Sequence, residues 1–94
     1  FSVAELFRTY TTMFVVYVLK SSATEKSYVG MTTDINRRLK EHNAGKHFYT
    51  RRHIPWVVVR TESLPGREEA RARERYLKSA AGRRFLERVF ATLE

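Results

Sequence analysis

One segment constrains this chain more than any other. Met13-Phe14-Val15-Val16-Tyr17-Val18-Leu19 is seven apolar residues without a break, dominated by β-branched and aromatic side chains. Such a run reads as a strand covered on both faces. It is too short to cross a bilayer. The chain has 94 residues, 43% of them hydrophobic, which is material for one domain with one core. Most of the apolar surface elsewhere in the chain must therefore go into covering that strand.

The flanking sequence divides itself clearly. Ser2-Val3-Ala4-Glu5 is a capping-box pattern, and Val3, Leu6, Phe7 and Tyr10 give a short amphipathic helix that Thr11-Thr12 breaks. Lys20 to Lys26 is polar and turn-like, and Ser27-Tyr28-Val29-Gly30 is a second short strand, so the two strands form a hairpin with a long loop. Thr33 or Asp34 can cap a helix over Ile35 to His42, which Asn43-Ala44-Gly45 ends with Gly45 in a left-handed conformation. Lys46 to Ile54 is a basic loop. Trp56 to Thr61 is a third strand, Ser63-Leu64-Pro65-Gly66 a turn, and Arg67 to Ser79 a helix by propensity. Gly82 separates a last helix, with Phe85, Leu86, Val89, Phe90 and Leu93 on one stripe. The order α-β-β-α-β-α-α predicts an α+β fold in a single domain. Its sheet is three-stranded, mainly antiparallel and flanked by helices. The core runs from about residue 13 to 80, with a short helical extension at each end.

Charge narrows the function. Lys plus Arg number 18 against 10 Asp plus Glu, a formal net charge of +8, and arginine outnumbers lysine 13 to 5. The planar arginine fork makes bidentate contacts with phosphate, so nucleic acid is the expected partner. Between Arg37 and Arg60 seven cations face a single acid, Glu41, with His47, Phe48, Tyr49, His53 and Trp56 interleaved. Cations among aromatic rings suit backbone contact combined with base stacking. Lys40, Lys46, Tyr49, Arg51, Arg52 and, on the later helix, Lys78 are the candidate contacts. Phe48 or Tyr49 in an exposed loop would stack on a base; a core would otherwise claim Phe48 and Trp56, and Trp56, which starts a strand, is the one expected there. Cysteine is absent, which excludes a disulfide scaffold, a thiolate nucleophile and a cysteine zinc site. No signal-peptide pattern is visible. The expected setting is cytoplasmic, with no membrane partner.

Three features carry candidate chemistry. Arg38 and His42 lie one helical turn apart on the side that also holds Ile35 and Leu39. An arginine there either covers apolar surface with its stem or aims its head into a cleft. Glu74 falls on the packed face marked by Ala70, Leu77 and Ala81, where an acid needs an arginine or a metal ion. Arg71 or Lys78 stands within reach as an ordinary helix pair. Tyr17 and Tyr28 sit on paired strands, and Gly30 admits another group close to the backbone. Two such tyrosines either fill a core or present hydroxyls to a phosphate or a water.

In order, Tyr17, Tyr28-Val29-Gly30, Arg38-x-x-x-His42 and Glu74 resemble the GIY-YIG nuclease superfamily. The chain looks most like the small single-domain bacterial members related to the UvrC N-terminal endonuclease domain. Tyr28-Val29-Gly30-Met31-Thr32, Arg37-Arg38-Leu39-Lys40-Glu41-His42-Asn43, Thr50-Arg51-Arg52, Pro55-Trp56 and Arg73-Glu74-Arg75-Tyr76-Leu77-Lys78 carry the resemblance from about Met13 to Lys78. It implies a mixed sheet of three strands with helices on its flanks. It implies phosphodiester hydrolysis with one divalent ion, Mg²⁺ or Mn²⁺, held by Glu74. It implies Arg38 as the catalytic arginine, Tyr28 as general base or water-positioner, Tyr17 as the tyrosine of the first tripeptide, and His42 as a histidine near the scissile phosphate. His42 is the rival base, because imidazole titrates near neutrality and a phenol does not. Three positions depart from the pattern. Val15 replaces the first glycine, Met31 stands where UvrC-like members carry lysine, and no asparagine follows Glu74.

The resulting expectation is a metal-dependent endonuclease acting on DNA, single-stranded, branched, damaged or duplex, in DNA repair. It would work as a monomer, with a dimer through the terminal helices as the other arrangement. The alternative is a catalytically inactive nucleic-acid-binding module on the same fold. A protein-interaction domain would show no affinity for polyanions, against the charge.

Overall fold

The computed structural model describes residues 13–93. The helix expected over residues 2–10 lies outside the described residues. β1 (Phe14–Ser21) is the middle strand of a three-stranded sheet in the order β2-β1-β3, with β2 at Ser27–Thr32 and β3 at Trp56–Leu64. Both pairings are antiparallel. The mixed sheet implied by the family resemblance is corrected here. β2 and β3 run the same way, but β1 lies between them, so no parallel pair forms.

Val16, Tyr17, Val18 and Leu19 are each at most 1% exposed, as a strand covered on both faces requires. The period of two divides them. Val16 and Val18 join Val29, Ala70, Leu77 and Leu86. Tyr17 and Leu19 join Trp56, with Ile35, Leu39 and Ile54 against them. So α1 (Ile35–Asn43) covers one face, and α2 (Arg67–Lys78) with α3 (Ala80–Ala91) covers the other.

Several boundaries move, each for a local reason. β3 continues to Leu64 because Phe14 and Val15 pair with Leu64 and Ser63, so the predicted turn shrinks to Pro65-Gly66. β2 continues to Thr32, opposite Val15. The basic loop contains a short 3₁₀ turn, Thr50–His53. Gly45 takes its expected left-handed conformation, with φ +78°. Asn43 brackets the start of β3: its side chain accepts from the Trp56 N–H at 2.7 Å and donates to the Trp56 carbonyl at 3.1 Å. The indole of Trp56 donates to the Thr50 carbonyl at 2.8 Å, tying the 3₁₀ turn to the core.

The break between the last two helices is at Ser79, not Gly82. Ser79 is extended and its hydroxyl accepts from the Gly82 N–H at 3.2 Å, an N-cap. Gly82 is buried inside α3, where a Cβ would collide with the Tyr76 carbonyl oxygen and the Leu77 Cα. The helix restarts out of phase, so Ala81 is exposed and Leu86 becomes the buried residue. Alanine for glycine in a helix ordinarily stabilises by about 1 kcal/mol. Gly82→Ala is expected to do the opposite and cost about 1–3 kcal/mol, as read by urea unfolding.

A charged cluster closes the α2–α3 side. Glu62 on β3 accepts from Arg73 at 2.7 and 3.2 Å and from Arg60 at 2.9 Å. Both guanidiniums lie over the Phe85 ring, at 5.2 and 5.4 Å. No helix among the described residues is long and apolar enough to cross a membrane.

Candidate active site

Tyr17 on β1 faces Gly30 on β2 in the sheet register. A Cβ at residue 30 would collide with the Tyr17 ring and hydroxyl. Glycine is therefore what lets the phenol cross the edge strand. α1 meets it there. The Asp34 carboxylate caps the helix, accepting from the Arg37 N–H at 3.1 Å. That start sets the phase in which Arg38 and His42 share a side.

The Tyr17 hydroxyl and His42 Nε2 are 2.9 Å apart, and His42 Nδ1 lies 2.8 Å from the Thr50 hydroxyl. His42 and Thr50 are wholly buried and Tyr17 nearly so. Whichever ring nitrogen carries the proton, both are engaged inside the protein. Tyr28 sets its ring 5.0 Å from His42 and 6.3 Å from Tyr17. Tyr49 stacks on Tyr28 with centroids 6.2 Å apart, and His47 lies 4.4 Å from the His42 ring.

The electrostatics follow from this burial. Burial pushes the Tyr17 phenol well above its usual range; Tyr28, Glu74 and Glu41 add to the rise and Arg38 opposes it. Tyr17 therefore stays protonated. The charges of Arg38 on α1 and of Glu74 on α2 are both felt at this phenol, with opposite sign. Burial pushes His42 down to about 4, helped by His47 and Arg38 and opposed by Glu41. The imidazole is neutral at pH 7.

Arg38 has a buried Nε with no hydrogen-bond partner. The closest acid, Glu41 Oε1, is 3.7 Å away, outside hydrogen-bond range. Glu41 is already shared by Arg37 at 3.5 Å and His47 at 3.3 Å. A buried donor without an acceptor costs about 1–3 kcal/mol. A site for an incoming anion is one place where such a cost is retained.

Glu74 is 16% exposed, and its Oε2 accepts from Lys78 at 3.3 Å. No group of three or more His, Cys, Asp or Glu able to hold a metal occurs among the described residues. A single carboxylate does fit a hydrated Mg²⁺ or Mn²⁺, which keeps most of its water. Lys78 is the group such an ion would displace.

Tyr17, Tyr28, His42 and His47 thus form one cluster, with Tyr49 at the rim, 47% exposed; Arg38 lies on the α1 side that carries His42, and the Glu74 charge is felt at the Tyr17 phenol. Lys40, Lys46, Arg51 and Arg52 are exposed on the surface beyond them. Lys78 is paired with Glu74 rather than free. Sequence reasoning gave no role to Thr50 or His47. Their contacts with His42 depend on how the loop folds beneath α1, and no periodicity signals it. Trp56 is core, 2% exposed, whereas Phe48 is 64% exposed.

Known proteins are similar to this chain. The GIY-YIG catalytic domain family matches residues 13–86. A UPF0213 protein of Haloquadratum walsbyi is 43% identical over 65 residues, 68% of this chain and 72% of that relative. One of Natronomonas pharaonis is 45% identical over 65 residues, 68% of this chain and 75% of that relative. The solution NMR structure of a UPF0213 protein from Bacillus halodurans is 35% identical, with a TM-score of 0.50 over 82% of this chain and 84% of that one.

Proposed function

The chain belongs to the GIY-YIG catalytic domain family, and on that premise we propose that it is a divalent-metal-dependent endonuclease that hydrolyses phosphodiester bonds in DNA. The observation that carries this reading is the unpartnered, buried Arg38 Nε on the helix side that also holds His42, which bonds the Tyr17 phenol. Phosphodiester cleavage passes through a pentacoordinate, strongly anionic state. Arg38 supplies charge-assisted hydrogen bonds to its oxygens. Glu74 would hold the Mg²⁺ or Mn²⁺ ion, which supplies charge stabilisation when bound.

The tyrosines and His42 divide the remaining work. Tyr17 is a protonated phenol fixed by His42, and His42 is fixed in turn by Thr50. His42 has both nitrogens engaged, and its protonated form is disfavoured. That supports Tyr28, not His42, as the group that orients the attacking water; it would take that water's proton only as a phenolate, its own proton having first gone to solvent. Lys40, Lys46, Arg51, Arg52 and Tyr49 would hold the DNA backbone around the site. The setting that suits this activity is repair of branched or damaged DNA inside the cell, by a monomer.

The test is cleavage of labelled single-stranded, duplex and branched DNA with Mg²⁺, Mn²⁺ or EDTA. Cutting of at least one DNA in either metal, stopped by EDTA, is expected. DNA binding without cutting on every substrate would replace the enzyme with an inactive nucleic-acid-binding module.

A further inference from the structure

Phe48 leaves more of itself in water than any other large apolar side chain among the described residues, at 64% exposure. Its ring is not bare. The guanidinium carbons of Arg51 and Arg52 each lie 4.8 Å from its centroid. The stretch Lys46 to Pro55 contains no acid, and neither arginine joins an ion pair among the described residues. The next residue, Tyr49, stacks on Tyr28 at 6.2 Å with planes 29° apart. A surface of rings and free cations therefore runs from Phe48 to the candidate site.

Core packing does not explain this arrangement. Phe48 contributes little burial, and an exposed cation–π contact is worth only about twofold to fivefold in an equilibrium constant. What the cluster offers is an exposed aromatic ring with two flat guanidinium planes over it, and uncompensated positive charge in the same place. Its chemical complement is an unstacked base with its flanking phosphates. Bases inside a duplex are stacked on one another and cannot reach a ring on a protein surface without being extruded.

We infer that Phe48, with Arg51 and Arg52, forms a stacking platform for an unpaired nucleotide beside the active site. The substrate class is then DNA with a single-stranded segment next to the scissile bond. This rests on the nuclease reading for its use, but the platform itself is a binding site and is tested without cleavage.

The experiment is equilibrium binding in EDTA, by fluorescence anisotropy, of a labelled single-stranded DNA and of the matched blunt duplex. Phe48→Ala is expected to weaken single-strand binding about 5- to 100-fold and to change duplex binding by less than about twofold. Phe48→Trp, which keeps a stacking face, is expected to retain wild-type affinity. Phe48 is exposed, so these variants should fold, which circular dichroism checks. Unchanged single-strand binding in Phe48→Ala, or equal weakening for strand and duplex, overturns the platform, as does failure of the unmutated protein to bind single-stranded DNA. A selective loss in EDTA combined with no cleavage in Mg²⁺ or Mn²⁺ upholds the platform and sinks the nuclease reading instead.

Discussion

Arg38→Ala is expected to slow DNA cleavage by about a thousandfold or more while leaving the protein as stable as before, to within about 1 kcal/mol. The two halves of that expectation have one cause. The buried Nε has no acceptor, so the folded protein carries its desolvation cost without the compensating bond. Alanine removes the unsatisfied donor along with the packing of the stem, and the two changes oppose each other. The transition state loses its forked cation altogether. Arg38→Lys keeps the charge but not the fork, and should recover only a small part of the rate. Single-turnover cleavage and urea unfolding on the same preparations give both numbers. If Arg38→Ala instead unfolds the protein, the residue is structural and its loss of activity carries no mechanistic meaning.

The second large effect is a loss of stability on mild acidification, and it belongs to His42. In the unfolded chain this imidazole titrates near 6.5; in the fold burial holds it down to about 4. Above pH 6.5 it is neutral in both states and contributes full stability. As the pH falls from 6.5 toward 4, the unfolded chain takes up a proton that the folded chain refuses, so stability drops. Below 4 both states are protonated and this loss is complete. The total is about 3 kcal/mol, from a shift of roughly two and a half pH units. Glu62, held below the usual carboxylate range by its bond to Arg73, also loses stability on acidification, but in a lower window. His42→Gln can still hydrogen-bond to Tyr17 and Thr50 but cannot titrate. Unfolding free energies between pH 7.5 and 4.5 should therefore fall steeply for the natural protein and much less for His42→Gln. A natural protein equally stable at both ends of that range would mean that His42 is not held neutral.

How much of this was legible beforehand depends on the range of the interaction. The central strand was visible because seven apolar residues in a row admit few other readings. Its division between two faces then follows from a period of two. Gly82 misled because glycine as a helix breaker is a local rule, and here a close approach to the Tyr76 carbonyl decides the residue. Ser79, three residues earlier, held the true signal in its capping hydroxyl. At the site, Tyr17, Tyr28, Arg38, His42 and Glu74 each had an ordinary structural explanation. Only their order suggested one centre; the strand register and α1 bring Tyr17, Tyr28 and His42 into contact, and the charges of Arg38 and Glu74 are felt at that phenol. The Glu74–Lys78 pair was readable from its spacing of four. Thr50 was not, because its contact with His42 requires a turn that no sequence period marks. Phe48 reads from sequence either as a core ring or as a stacking ring in an exposed loop, and apolarity alone does not choose; the loop leaves it outward, with two arginines over it.

Single-turnover cleavage of a labelled branched DNA, with the natural protein and Glu74→Gln side by side in saturating Mg²⁺, tests the nuclease assignment most directly. The glutamine is isosteric but removes the charge that would hold the ion. The expected result is cutting by the natural protein that EDTA abolishes. Glu74→Gln should bind the same DNA and stay folded, yet cut at least about a thousandfold more slowly. Equal cutting by Glu74→Gln, or cutting undiminished in EDTA, would contradict the assignment of Glu74 and with it the metal-dependent nuclease.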